Sequence, residues 1–135
     1  MAVPSSSGGT GAIAAFGRGF VRASDVTLTA SDLPTQAFGY FITSRTQGFV
    51  AHPSGSAGNL CILGSIGRCV GLGQVQDTGS SSSFSLRLDL AMTPTPTGLV
   101  SVSVGETWTF QAWHHDTLTG APTSNFSDAI EISLY

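Results

Sequence analysis

Thr107-Trp108-Thr109-Phe110-Gln111-Ala112-Trp113-His114-His115-Asp116, and beyond it Ser124-Asn125-Phe126-Ser127-Asp128-Ala129-Ile130-Glu131-Ile132-Ser133-Leu134-Tyr135, decide the fold of this chain. Both stretches alternate apolar and polar residues, the period of a strand with one buried face. The intervening Thr117-Leu118-Thr119-Gly120-Ala121-Pro122-Thr123 holds Gly and Pro and is expected to interrupt strand pairing. Two long strands joined by a loop suit the closing hairpin of a β-sandwich. Trp108 shares its face with Phe110 and Ala112, which predicts a core position. Trp113 falls on the opposite face with Thr109, Gln111 and His115, which predicts partial exposure.

The same period recurs toward the N-terminus. Ala12 to Val21 carries Ile13, Phe16, Phe20 and Val21 among glycines and is expected as a strand with a bend. Val26, Leu28 and Ala30 alternate with Thr27, Thr29 and Ser31, a half-buried strand. Phe38 to Ser44 is a mostly apolar run suited to a central strand. Phe49 to Asn59 holds Pro53, Gly55 and Gly58 and is expected as a loop, followed by strands at Leu60–Leu63 and Val70–Gln76. Phe84, Leu86, Leu88 and Leu90 alternate with Ser83, Ser85, Arg87 and Asp89. Thr93-Pro94-Thr95-Pro96-Thr97-Gly98 cannot pair inside a sheet and is expected to connect sheets, with a strand following at Leu99–Val104. Eight or nine short strands with turn punctuation predict an all-β antiparallel β-sandwich, immunoglobulin-like, fibronectin III-like or jelly-roll. The Ser- and Gly-rich residues 1–11 are expected as a flexible N-terminal segment, and residues 12–135 as a single sandwich domain.

Composition agrees. Ser and Thr make up 34 of the 135 residues, charged residues only 10%, and there is no lysine. Exposed helix faces want Lys, Glu and Gln, and two Glu in the whole chain cannot supply them. A net charge of −3 lacks the cationic footprint of nucleic-acid binding. No apolar run reaches the ~20 residues that span a bilayer, and no basic segment followed by an apolar core opens the chain, so neither a membrane span nor an intact signal peptide is expected. The charge-poor surface favours self-association.

Three constellations carry candidate chemistry. Trp113, with Tyr40, Gln111 and His115, forms a candidate ligand site in which an exposed indole stacks on a sugar ring. His52, His114, His115 and Asp116 are candidate transition-metal ligands, although adjacent His on a strand point to opposite faces and cannot share an ion without a bulge. Asp116, Asn125 and Asp128 flank the last loop as candidate calcium oxygens, or equally as turn and cap residues. Cys61 and Cys69 bracket two glycines, so a local disulfide is one reading and two buried thiols the other. No nucleophile elbow, zincin motif, phosphate-cradling loop or Cys-x-x-Cys is present.

Taken together, Asp25-Val26-Thr27-Leu28-Thr29-Ala30, Phe38-Gly39-Tyr40-Phe41, Thr46-Gln47-Gly48-Phe49-Val50, Gly58-Asn59-Leu60-Cys61, Ile66-Gly67-Arg68, Pro94-Thr95-Pro96, Gly105-Glu106-Thr107-Trp108, Phe110-Gln111-Ala112-Trp113 and Thr123-Ser124-Asn125-Phe126-Ser127-Asp128 resemble a domain of large secreted proteins of planctomycete-type and some myxobacterial-type bacteria. The resemblance runs from about Gly11 to Leu134. It implies an extracellular, C-terminal, modular placement and no particular chemistry. The family carries Arg where this chain has His115, in a Trp/Tyr-Arg-Asp run. The expectation is therefore a non-catalytic extracellular structural or adhesion module. The alternatives are a carbohydrate-binding module and a small metal-binding protein or metalloenzyme using the histidines. Expected partners are glycans or other extracellular proteins.

Overall fold

The computed structural model describes residues 2–6 and 8–135, with the backbone alone at Leu118. It is all-β and antiparallel, with twelve strands among the described residues where eight or nine were expected. A three-stranded sheet, in the order β1-β2-β8, contains β1 (Ala12–Phe16), β2 (Thr27–Ser31) and β8 (Phe84–Arg87). A five-stranded sheet runs β12-β11-β3-β6, with β7 also on β3. Its strands are β3 (Phe38–Ser44), β6 (Gly67–Arg68), β7 (Gln76–Asp77), β11 (Thr107–Leu118) and β12 (Ala121–Ser133). Two separate ribbons complete the fold, β4 (Thr46–Ala51) with β5 (Asn59–Leu63), and β9 (Thr93–Thr95) with β10 (Gly98–Val100).

The two sheets close on one apolar layer. Leu28, Ala30 and Phe84 of the small sheet meet Phe41, Trp108, Phe110 and Ala112 of the large one. The Phe41 and Phe84 rings stack across the layer with centroids 5.1 Å apart. Burial of these rows is the dominant stabilising term, at roughly 25 cal/mol for each Å² of apolar surface removed from water. The β4–β5 ribbon lies over the opposite face of the large sheet, where Ile62 packs with Ile42 and Phe126 in a second, smaller cluster. The molecule thus has a third, partial layer, and the functional question lies there.

Several segments depart from expectation for physical reasons. The last hairpin runs through its linker to a two-residue turn at Thr119-Gly120, with Leu118 opposite Ala121. Both turn residues take positive φ, 49° and 82°, the type I′ conformation whose twist matches a hairpin. Pro122 is tolerated because β12 ends the hydrogen-bonded order of its sheet. Pro94 pairs with Leu99 for a similar reason, since a two-stranded ribbon has no interior. Phe49, Val50 and Ala51 belong to a strand, β4. Val70 to Gln76 forms a loop ending in the short β7, and Leu72 is fully exposed in it.

The N-terminal segment lies against the sandwich edge. The Ala2 N–H donates to Asp128 Oδ1 (2.9 Å), and the Ser6 N–H donates to both carboxylate oxygens of Asp116 (3.1 and 3.3 Å). Met1 and Ser7, within the expected linker, lie outside the described residues. Cys61 and Cys69 form no disulfide. Cys69 is buried in the inter-sheet core, whereas Cys61 sits on the outer ribbon beside Gln47 and Thr109, so the two belong to different layers.

Candidate functional site

The outer face of the large sheet carries a row of rings. Trp113 on β11 lies directly opposite Tyr40 on β3, and cross-strand neighbours on one face stand close enough for their side chains to touch. Their rings stack at 5.0 Å with an interplanar angle of 25°. Phe38, two residues from Tyr40 and so on the same face, tilts against Trp113 at 5.7 Å. On its other side it stacks on the His115 imidazole at 5.4 Å. Four rings from two strands thus run in sequence His115, Phe38, Trp113, Tyr40. Gly39, between Phe38 and Tyr40, makes the row possible. A Cβ there would stand 2.5 Å from the Trp113 carbonyl oxygen, so any other residue would push β3 off β11.

One end of the row opens into a cleft of about 270 Å³ beneath the 3₁₀ turn Pro53–Gly55 of the outer ribbon. Tyr40 and Trp113 form one wall, and Leu60, Ile66 and Phe126 continue the apolar floor. Ser54, Ser124 and Arg68 supply the polar groups. No carboxylate or imidazole lines the cleft among the described residues, so it offers apolar rings, hydroxyls and one guanidinium and no general acid–base pair.

Gln111 is placed differently from expectation. It is fully buried and its amide ties three strands together. Oε1 accepts from the Cys61 N–H (3.0 Å), and Nε2 donates to the carbonyls of Asn59 (3.0 Å) and Ser127 (2.7 Å). It pins the ribbon over the sheet and does not face the cleft. A buried amide is retained where every donor and acceptor finds a partner, which is the case here.

The metal candidates do not converge. His114 is buried on the core side of β11, His115 is half-buried on the outer side against Phe38, and His52 caps the Pro53–Gly55 turn with Nδ1 near the Ser56 carbonyl (3.1 Å). Among the described residues no three His, Cys, Asp or Glu side chains stand together to hold an ion. Asp116 and Asn125 do meet, with Asn125 Nδ2 donating to Asp116 Oδ2 at 3.1 Å. That carboxylate also accepts the Ser6 N–H and the Thr117 N–H (2.8 Å). Its lone pairs therefore face N–H donors, the reverse of a calcium cradle. Burial pushes the Asp116 pKa up, but hydrogen bonds from Ser6, Asn125 and Thr117 outweigh it and hold the group below its ordinary value. Gly58 belongs to this cluster, because a Cβ there would overlap the Asn125 side-chain oxygen.

Phe38, Phe126, Leu60 and Arg68 were outside the expected ligand set. Phe38 was legible as the same-face neighbour of Tyr40. The others enter only through the pairing of distant strands. No protein-family model matches the chain, and no curated protein or solved structure matches it either.

Proposed function

We propose that this domain is a non-catalytic binding module of a secreted bacterial protein, and that its ligand is a sugar ring taken up in the Tyr40–Trp113 cleft. One observation carries the reading. Two aromatic rings stacked at 5.0 Å form a wall beside hydroxyls in an open cleft that lacks an acid–base pair. A pyranose has an apolar face that packs on such rings and equatorial hydroxyls that need polar neighbours at the rim. The family resemblance supports an extracellular setting, where glycans are the abundant polymers. Ser and Thr, 34 of 135 residues, give a surface wetted by hydroxyls, which also suits a structural or adhesion module with no ligand of its own.

A glycan array followed by calorimetric titration separates the two. The expected result is binding to a subset of glycans, lost in Trp113→Ala with the thermal transition still cooperative. Binding to no glycan at all leaves the structural module as the reading.

A further inference from the structure

We infer that the sugar taken by this cleft is acidic, a uronate whose carboxylate sits on the Arg68 guanidinium. The inference rests on the sugar-binding reading above and narrows it to one chemical class.

The argument is one of charge placement. The chain carries a net charge of −3, with five cations in all. Two of these are engaged elsewhere: Arg45 pairs with Glu106, and Arg87 donates to the Ser24 and Ala23 carbonyls. Arg68 is exposed on β6 opposite Ile42 of β3, and lines the same cleft as Tyr40 and Trp113. Its guanidinium has no ion-pair or hydrogen-bond partner among the described residues, and no carboxylate lines the cleft. A negative molecule thus presents a lone cation beside its aromatic wall.

A neutral sugar can accept hydrogen bonds from that guanidinium but leaves its charge unmatched. A guanidinium is a planar fork of N–H donors matched to the two oxygens of a carboxylate. The C5 carboxylate of a uronate projects from the ring edge while the ring face stays free to stack. The same residue therefore completes recognition that the rings begin. Because the rest of the protein repels polyanions at long range, the preference depends on the local contact and weakens with added salt.

Oligogalacturonate, its methyl ester, a neutral gluco-oligosaccharide and a sulfated oligosaccharide are titrated into the intact domain. The acid form is expected to bind about tenfold or more tightly than the ester, in line with charge-assisted hydrogen bonds. Arg68→Gln is expected to remove most of that difference by weakening the acid form more than the ester, while Trp113→Ala weakens both alike. Arg68→Lys, which keeps the charge and loses the fork, should fall between. Equal affinity for acid and ester, a preference for the neutral or sulfated sugar, or an Arg68→Gln effect equal on both forms overturns the inference and leaves sugar binding intact. Binding of none of the four, with no other glycan bound on the array, removes both readings together.

Discussion

His114 is 1% exposed, and its Nδ1–H donates to the His115 carbonyl oxygen at 3.0 Å. Burial lowers its pKa below the ordinary 6.5, against smaller upward pulls from that hydrogen bond and from Asp116. The unfolded chain takes up the proton near 6.5 and the folded one resists it. Stability is therefore complete above that value and declines as the pH drops through it. Asp116 is held below 3.8, so its contribution disappears only in more acidic solution. The urea midpoint is expected to fall between pH 7.5 and 5, a window chosen to bracket the ordinary value, and His114→Gln should flatten that slope. A slope unchanged in the variant would assign the titration elsewhere. Cys69 tells a parallel story, since burial pushes its thiol up to about 11. Alkylation at neutral pH in the native state is expected to spare Cys69, and mass spectrometry after unfolding should find it modified readily.

The long hairpin shows how one element absorbs an irregularity. Its register shifts between Gln111 and Trp113, where Ser127 and Asp128 of β12 stand opposite Ala112 alone, a β-bulge in β12. The Ala112 N–H, deprived of a ladder partner on that side, donates to the Ser127 hydroxyl at 2.9 Å. Ser127→Ala would orphan a fully buried donor and is expected to cost about 1–3 kcal/mol in urea unfolding. At the far end, Asp116 and the Ser6 N–H form a pair whose coupling is measurable. Ser6→Pro removes the N–H donor together with the hydroxyl that also reaches Asp116, Asp116→Asn removes the charge, and the double variant should lose less than the sum. Strand identity was legible where a strand's own residues sufficed, by alternation in β2 and by an apolar run in β3. It failed at Val70, Leu72 and Val75, which are apolar but exposed, so their pattern imitates a strand that no core supports. It failed also at Thr119-Gly120, whose turn is decided by two positive φ angles more than by residue type. The cleft was half legible. Parity along β11 placed Trp113 outside, but the Tyr40 stack, the Arg68 neighbour and the burial of Gln111 depend on register between strands far apart in sequence.

At the scale of the molecule, the large sheet serves two masters: the inter-sheet core on one face and the ribbon with its cleft on the other. Ribbon and sheet are joined by the smaller apolar cluster, by the amide of Gln111, and by hydrogen bonds from Ser44 to the Leu63 carbonyl, from Gln47 to Glu131, and from Ser56 and Ala57 to the Ser124 carbonyl. Gln111→Ala is expected to speed hydrogen exchange in Asn59–Leu63 while the Leu28 and Phe110 strands stay protected. Uniform loss across both sheets would mean that the ribbon and the core unfold as one unit. The two indoles divide along the same line. Trp108 is shut inside at 2% exposure with the Arg45 guanidinium 5.1 Å from its ring centroid, and Trp113 stands at the cleft wall. The chain therefore carries two natural fluorophores with different access to dissolved quenchers such as acrylamide. Occupancy of the outer one becomes visible by light alone, without any label.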